Sequence, residues 1–266
     1  MKYYLPIGIL DSGIGGLVIA KEIINYMPNE RLFYFGDTKN MPYGNKSKHF
    51  IRDYSMRIVS FLFKHQCKAI VIACNSIVSN ALDHIQEKFC KKLILFNVID
   101  PVVKNRIFFS YNKIGICATH ATIKSQYYQN KMKKNFPNLT ISTKSMPLLA
   151  NFIENGIKKH ELNSIIYDNF NSFIKNIDIL LLACTHYLFL TNAIQNIFQT
   201  NIRIIEIQKI VVQEIITRLY NQNLLNPFPI NNNHIIFYTS DFISPIFYAK
   251  VQSIFKNNFI FKKINF

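Results

Sequence analysis

Short apolar runs rich in β-branched residues recur along the chain, each followed by a stretch of helical length. They predict strands at 5–10, 31–35, 69–73, 93–98, 114–118, 177–183, 202–207 and 235–239. Between them, helices are expected at 16–26, 46–64, 76–89, 123–135, 163–173 and 210–221. Most of the strands are continuously apolar rather than alternating, as strands covered on both faces are. Such strands followed by helices predict an α/β fold with largely parallel sheets flanked by helices.

The pattern contains an internal echo. Ile70-Val71-Ile72-Ala73-Cys74-Asn75-Ser76 resembles Leu180-Leu181-Leu182-Ala183-Cys184-Thr185-His186. Each is a buried-type strand ending in Ala-Cys and two polar residues. Open α/β sheets gather ligand groups at the carboxyl ends of their strands. Cys74 and Cys184 are therefore expected in equivalent places, one in each half, facing each other across a cleft.

Composition narrows the class. An apolar fraction of 49% and a charged fraction of 17% over 266 residues exclude a disordered chain. No run reaches the ~18 apolar residues of a membrane helix; the richest, 179–190, is interrupted by Cys184, Thr185 and His186. The apolar start at 3–10 runs into Asp11-Ser12-Gly13 without a signal-peptide cleavage site, so a cytoplasmic location is expected. The formal charge of +16 would attract phosphates. Its basic residues are scattered, however, with runs no denser than Lys91-Lys92 or Lys133-Lys134, and no basic-aromatic module is present. Drift towards Lys, Asn and Ile explains the charge better than a nucleic-acid partner does. The five cysteines include no C-x-x-C and no zinc-site spacing, so free thiols and no metal are expected. Cys67, Cys90 and Cys117 read as small buried hydrophobes.

The candidate chemistry lies at strand ends. Asp11-Ser12-Gly13-Ile14-Gly15-Gly16 follows the first strand and opens a helix. Its glycines permit a sharp turn, and the amides at a helix start can receive a carboxylate. Neither a Walker A loop nor the dinucleotide fingerprint is present. Gly36-Asp37 and Met41-Pro42-Tyr43-Gly44 form a stiffened loop after the second strand, where Tyr43 can offer a hydroxyl. Each of Cys74 and Cys184 should precede a helix N-terminus, which favours thiolate. His186 lies close enough in sequence to tune Cys184 or to share a proton with it.

These motifs, in this order and spacing, resemble those of the glutamate racemases, within the wider aspartate/glutamate racemase superfamily. The resemblance rests on Asp11-Ser12-Gly13-x-Gly15-Gly16, Pro42-Tyr43-Gly44, Cys74-Asn75 and Ala183-Cys184-Thr185-His186-Tyr187. Ala118-Thr119-x-x-Thr122-x-x-Ser125 and the stretch from Pro147 through Glu154 to Gly156 extend it. Ser76 stands where Thr is usual, Asp100 where Glu is commoner, and Ile205-Glu206-Ile207 near a usual Ile-Asp. No usable motif follows Asn221.

The resemblance implies racemisation of glutamate without a cofactor or metal, supplying D-glutamate for peptidoglycan synthesis in a bacterium. Cys74 would deprotonate D-glutamate and Cys184 L-glutamate. Asp11, His186 and Glu154 would assist the thiols, with Asp37 in the same polar shell. Ser12, Tyr43, Gly44, Asn75, Ser76, Thr119, Thr185 and His186 would cage the substrate, together with Asp11. Two similar α/β domains, 1–98 with 209–266 and 99–208, would enclose the site in the cleft between them. A homodimer is expected, and no membrane partner. The residues leave two other classes open: a racemase for another acidic amino acid such as aspartate, and a basic protein that contacts DNA or gyrase.

Overall fold

The computed structural model describes residues 2–199, 202–230 and 234–265. Of the expected first domain, residues 1, 231–233 and 266 lie outside this range.

Strand β1 (Ile7–Asp11) buries all of its residues, because helices cover both faces of its sheet. It pairs in parallel with β2 (Leu32–Gly36) on one side and β3 (Ala69–Ile72) on the other. β4 (Ile94–Asn97) extends the sheet beyond β3. On the β2 side, β9 (Ile235–Thr239) and β10 (Phe259–Lys263) complete six parallel strands in the order β10-β9-β2-β1-β3-β4. The second sheet is built from β5 (Lys113–Ala118), β6 (Thr140–Ser145), β7 (Ile179–Ala183) and β8 (Arg203–Ile204), in the order β6-β5-β7-β8. That order repeats β2-β1-β3-β4. The echo seen in sequence is therefore a repeat of topology, with Cys74 following β3 and Cys184 following β7.

The helices follow from periodicity and caps. α1 (Leu17–Tyr26) buries Leu17, Ala20 and Ile23 at helical spacing. α2 (Lys48–Lys64) is capped by Ser47, whose hydroxyl accepts the Phe50 amide, and buries Ile51, Ile58, Val59 and Leu62 against α3 (Asn75–Phe89). The helix expected at 123–135 is two: α4 (His120–Lys124), capped by Thr119, and α5 (Tyr127–Asn135). Gln126 breaks it in the left-handed region at φ 55°. α6 (Leu149–Asn155) ends at Gly156, whose φ of 74° suits glycine. α7 (Lys159–Ile174), α8 (Thr191–Phe198), α9 (Ile207–Asn221) and α10 (Pro245–Phe255) complete the layers. Among the described residues no helix is long and apolar enough to cross a membrane. Cys67 and Cys117 are buried as expected, but Cys90, at the C-terminal end of α3, is exposed.

A buried ion pair ties the chain's distant parts together. Lys68 Nζ lies 2.5 Å from Glu30 Oε2, with both side chains almost fully buried. Nζ also donates to the carbonyls of Tyr3 (2.6 Å) and Leu224 (2.7 Å), and Glu30 Oε1 accepts the Asn226 amide at 2.9 Å. Removing one partner leaves the other charge buried and uncompensated, which costs about 3–5 kcal/mol. Lys68→Met is expected to lose that much stability in a urea titration; a loss below about 1 kcal/mol would show that the pair is replaceable.

Candidate active site

In both sheets the chain reverses its direction of growth at the central strand, and crevices form where it does so. Asp11 ends β1, Cys74 follows β3, Thr119 follows β5 and Cys184 follows β7. These two sets of carboxyl ends meet. Thr185 Oγ1 donates to Asp11 Oδ2 at 3.2 Å, joining the second half to the first.

Asp11 is completely buried. Its Oδ1 accepts the Gly13 amide at 2.9 Å, which closes the Asp-Ser-Gly turn. The Tyr34 hydroxyl holds the same turn by donating to Gly13 O at 2.6 Å. Burial pushes the Asp11 carboxyl up to about 6, against the opposing pull of the His186 charge and the Gly13 amide. Cys74 stands at the N-cap position of α3 and donates to Ser12 Oγ at 3.6 Å. Its thiol is pushed up to about 12, by burial first and then by the Asp11 charge. The acidity expected from the helix end is therefore not found at Cys74. Loss of water outweighs the nearby Ser12 hydroxyl and Ile77 amide that act the other way.

Cys184 precedes a 3-10 turn, Thr185–Leu190, and α8 follows that turn. His186 Nδ1 lies 3.8 Å from Cys184 Sγ, and its Nε2 lies 2.5 Å from Glu154 Oε1. That carboxylate oxygen also accepts the Ile14 amide at 2.8 Å. Burial acts against a charged His186, yet the Glu154 carboxylate and the Cys184 sulfur hold the ring well above its usual value. A protonated His186 is a donor towards both Cys184 and Glu154. Glu154 Oε2 is buried without a hydrogen bond.

Around the thiols lies a shell of hydroxyls and amides. Ser76 Oγ and Thr119 Oγ1 are 2.9 Å apart, and Thr119 Oγ1 donates to Thr122 Oγ1 at 3.1 Å. The Tyr43 hydroxyl donates to Asp37 Oδ2, and Asp37 Oδ1 accepts from Ser240 Oγ at 2.5 Å. Asn75 Oδ1 accepts from the Tyr128 hydroxyl at 2.7 Å, while its Nδ2 is buried without a partner. Glycines allow the halves to touch, and a Cβ at Gly15 would come within 2.5 Å of Thr185 Oγ1 and 2.6 Å of His186 Nδ1. A Cβ at Gly13 would overlap Glu154 Oε1, and one at Gly44 would come within 2.7 Å of Thr119 Cβ.

Every residue singled out from sequence thus lies in one buried region: Asp11, Ser12, Asp37, Tyr43, Gly44, Cys74, Asn75, Ser76, Thr119, Glu154, Cys184, Thr185 and His186. Tyr34, Tyr128 and Ser240 also belong to it and were not anticipated. Tyr34 and Tyr128 lie inside ordinary strand and helix patterns, and Ser240 lies in the motif-free C-terminal segment. Among the described residues no cluster of His, Cys, Asp and Glu is arranged to hold a metal.

Comparison with known proteins agrees with this geometry. The Asp/Glu/Hydantoin racemase family model matches residues 27–215. The glutamate racemase of Neisseria meningitidis is 36% identical over 239 residues, covering 89% of this chain and 87% of the relative. That of Clostridium botulinum is 38% identical over 226 residues, covering 83% and 86%. The crystal structure of the Francisella tularensis glutamate racemase in complex with D-glutamate superposes with a TM-score of 0.87 at 31% identity, covering 98% of each chain. A glutamate racemase isoform from Bacillus anthracis gives 0.89 at 27% identity, covering 99% of this chain and 98% of that one. Two halves of like topology, each with a buried cysteine just beyond a strand, are here joined to sequence identity along most of the chain, and the chain belongs to the Asp/Glu/Hydantoin racemase family, among its glutamate racemases.

Proposed function

We propose that the protein interconverts L- and D-glutamate by proton transfer between two thiols, without an added cofactor. The observation that carries this reading is the placement of Cys74 and Cys184 after equivalent strands of two repeated sheets, each with its own polar partners. Racemisation removes the Cα proton on one face and returns a proton on the other. With D-glutamate, the Cys74 thiolate takes the proton and the Cys184 thiol supplies one to the opposite face. With L-glutamate the roles reverse. Charge develops on the substrate during transfer, and donors already fixed in a water-poor site stabilise it without reorganising.

The electrostatics support a division of labour. Cys74 is held as a thiol by burial and Asp11. A bound substrate ammonium would offset the Asp11 charge and make the Cys74 thiolate attainable. His186, kept protonated by Glu154 and Cys184, serves the second thiol. The shell hydroxyls, the Asn75 amide and backbone N–H groups match two substrate carboxylates. The sheet memberships support the division into 1–98 with 209–266 and 99–208. The five cysteines are free thiols, which suits the reducing cytosol. There the D-glutamate formed would feed peptidoglycan synthesis, and a homodimer is the assembly we expect.

Proton NMR in D₂O tests the reaction directly. Incubation with L- or D-glutamate should exchange the Cα hydrogen for deuterium and produce the other enantiomer. Folded protein that exchanges aspartate but not glutamate would assign the activity to aspartate; exchange of neither would remove the racemase reading. Cys74→Ser and Cys184→Ser should each lower racemisation at least ~10²-fold, the usual contribution of a positioned acid or base. Full activity in either variant sinks the two-thiol mechanism.

Asp11 predicts the acid limb of the pH profile. Protonation as pH falls through about 6 removes the carboxylate that accepts from Thr185, so kcat/KM should fall there. The linkage to stability has the opposite sign. With the folded value above the unfolded one of 3.8, Asp11 contributes stability that is gained as pH falls through 6 and is complete below 3.8. Titration of Asp11 therefore cannot lower the rate by unfolding the protein. Asp11→Asn should abolish the limb; a profile that keeps it in that variant assigns it to another group.

A further inference from the structure

Tyr128 lies on α5, in the half of the chain that carries Cys184, yet its hydroxyl reaches Asn75, the residue after Cys74. The phenol is buried, and among the described residues its hydroxyl makes no other hydrogen bond. This fixes the direction of the bond. A phenol O–H needs an acceptor, and Asn75 Oδ1 is the one within reach. Were the Asn75 amide reversed, the O–H would be a buried donor with nothing to bond, which is costlier than the loss of an average hydrogen bond. Burial, reinforced by the Cys184 charge, holds the phenol well above its ordinary range, so it stays a donor at any working pH.

The orientation of Asn75 follows. With Oδ1 committed to Tyr128, Nδ2 is turned away from it, buried and unpartnered. A buried amide donor without an acceptor is unfavourable, so a site that preserves one is prepared for a ligand that accepts. The position of Tyr128 is itself secured. The chain breaks at Gln126, and α5 is then pinned to Asp100 by the Tyr127 hydroxyl (3.1 Å) and Lys131 Nζ (2.7 Å). Asp100 is held in turn by Asn97 Nδ2 at 2.9 Å, at the end of β4. The start of α5 is thereby registered against the first sheet.

We propose that Tyr128 is a positioning residue for substrate binding, fixing the Asn75 amide so that Nδ2 is presented to a substrate carboxylate. The proposal rests on the glutamate racemase reading and adds to it a residue that acts only through Asn75.

A double-mutant cycle in the full chain tests it, with kcat and KM measured for both glutamate enantiomers. Tyr128→Phe frees the amide to turn, and KM should rise about tenfold while kcat falls far less. Asn75→Ala should raise KM by at least as much. In the Asn75→Ala background, Tyr128→Phe should add nothing to KM. Independent, multiplicative effects of the two substitutions would overturn the proposal, as would an unchanged KM in Tyr128→Phe. Should Tyr128→Phe not fold, Asn75→Asp decides. It keeps an acceptor for the phenol but presents a carboxylate oxygen in place of the amide N–H, so KM should rise more than in Asn75→Ala. A smaller rise than in Asn75→Ala would also overturn it. Wild-type protein inactive on glutamate in the same assay refutes the racemase reading instead, which keeps the two failures distinct.

Discussion

Glu154 reaches the Asp-Ser-Gly turn of the other half because Gly13 presents no side chain, His186 and Thr185 come up beside it because Gly15 presents none, and the rest of the site depends on that contact. Glu154 Oε1 takes the Ile14 amide from the first half and the His186 ring from the second. One oxygen thus couples the turn beside Asp11 to the imidazole beside Cys184. A Cβ at Gly13 would overlap Glu154 Oε1 and push that carboxylate off the Ile14 amide and the His186 ring. On the Tyr43 side, a Cβ at Gly44 would press into the Thr119 side chain. Glycine is usually read as freedom of the backbone. Here its value is absence of bulk between two surfaces that must touch.

Closing the halves buries charge, and burial is expensive unless each charge is met. The site meets most of its needs internally. Asp11 accepts from an amide and a hydroxyl, and Glu154 accepts from an amide and an imidazole. What remains unmet is a donor, Asn75 Nδ2, and an acceptor, Glu154 Oε2. A molecule carrying both carboxylate and ammonium could satisfy both. The same dehydration holds Cys74 as a thiol.

The parts of the fold that were legible in sequence are those that burial dictates. Central strands such as β1, β3 and β7 are covered on both faces and read as unbroken apolar runs. β6 lies at a sheet edge with no residue fully buried, and its Thr-Ile-Ser-Thr-Lys-Ser carries neither an apolar run nor an alternation. β10 is the opposite case of an edge strand, with Phe and Lys side by side. The break at Gln126 left no trace, because glutamine has no preference for the left-handed region that would signal it. The two cysteines were legible because the repeat of topology preserved a repeat of sequence. Cys74's acidity was not, since helix position is written in the sequence and depth of burial is not. Tyr128 was hidden for a related reason: a lone hydroxyl pairing across two halves follows no spacing rule.

The depth of the two thiols also shields them. Cys74 and Cys184 are only 5% and 6% exposed, whereas Cys90 lies open on the surface of the same molecule. Cys90 is therefore open to an electrophile or peroxide in solution, whereas burial screens Cys74 and Cys184 from it. The surface thiol is thus the first to be oxidised. Damage that stops at Cys90 leaves the two thiols of the site intact.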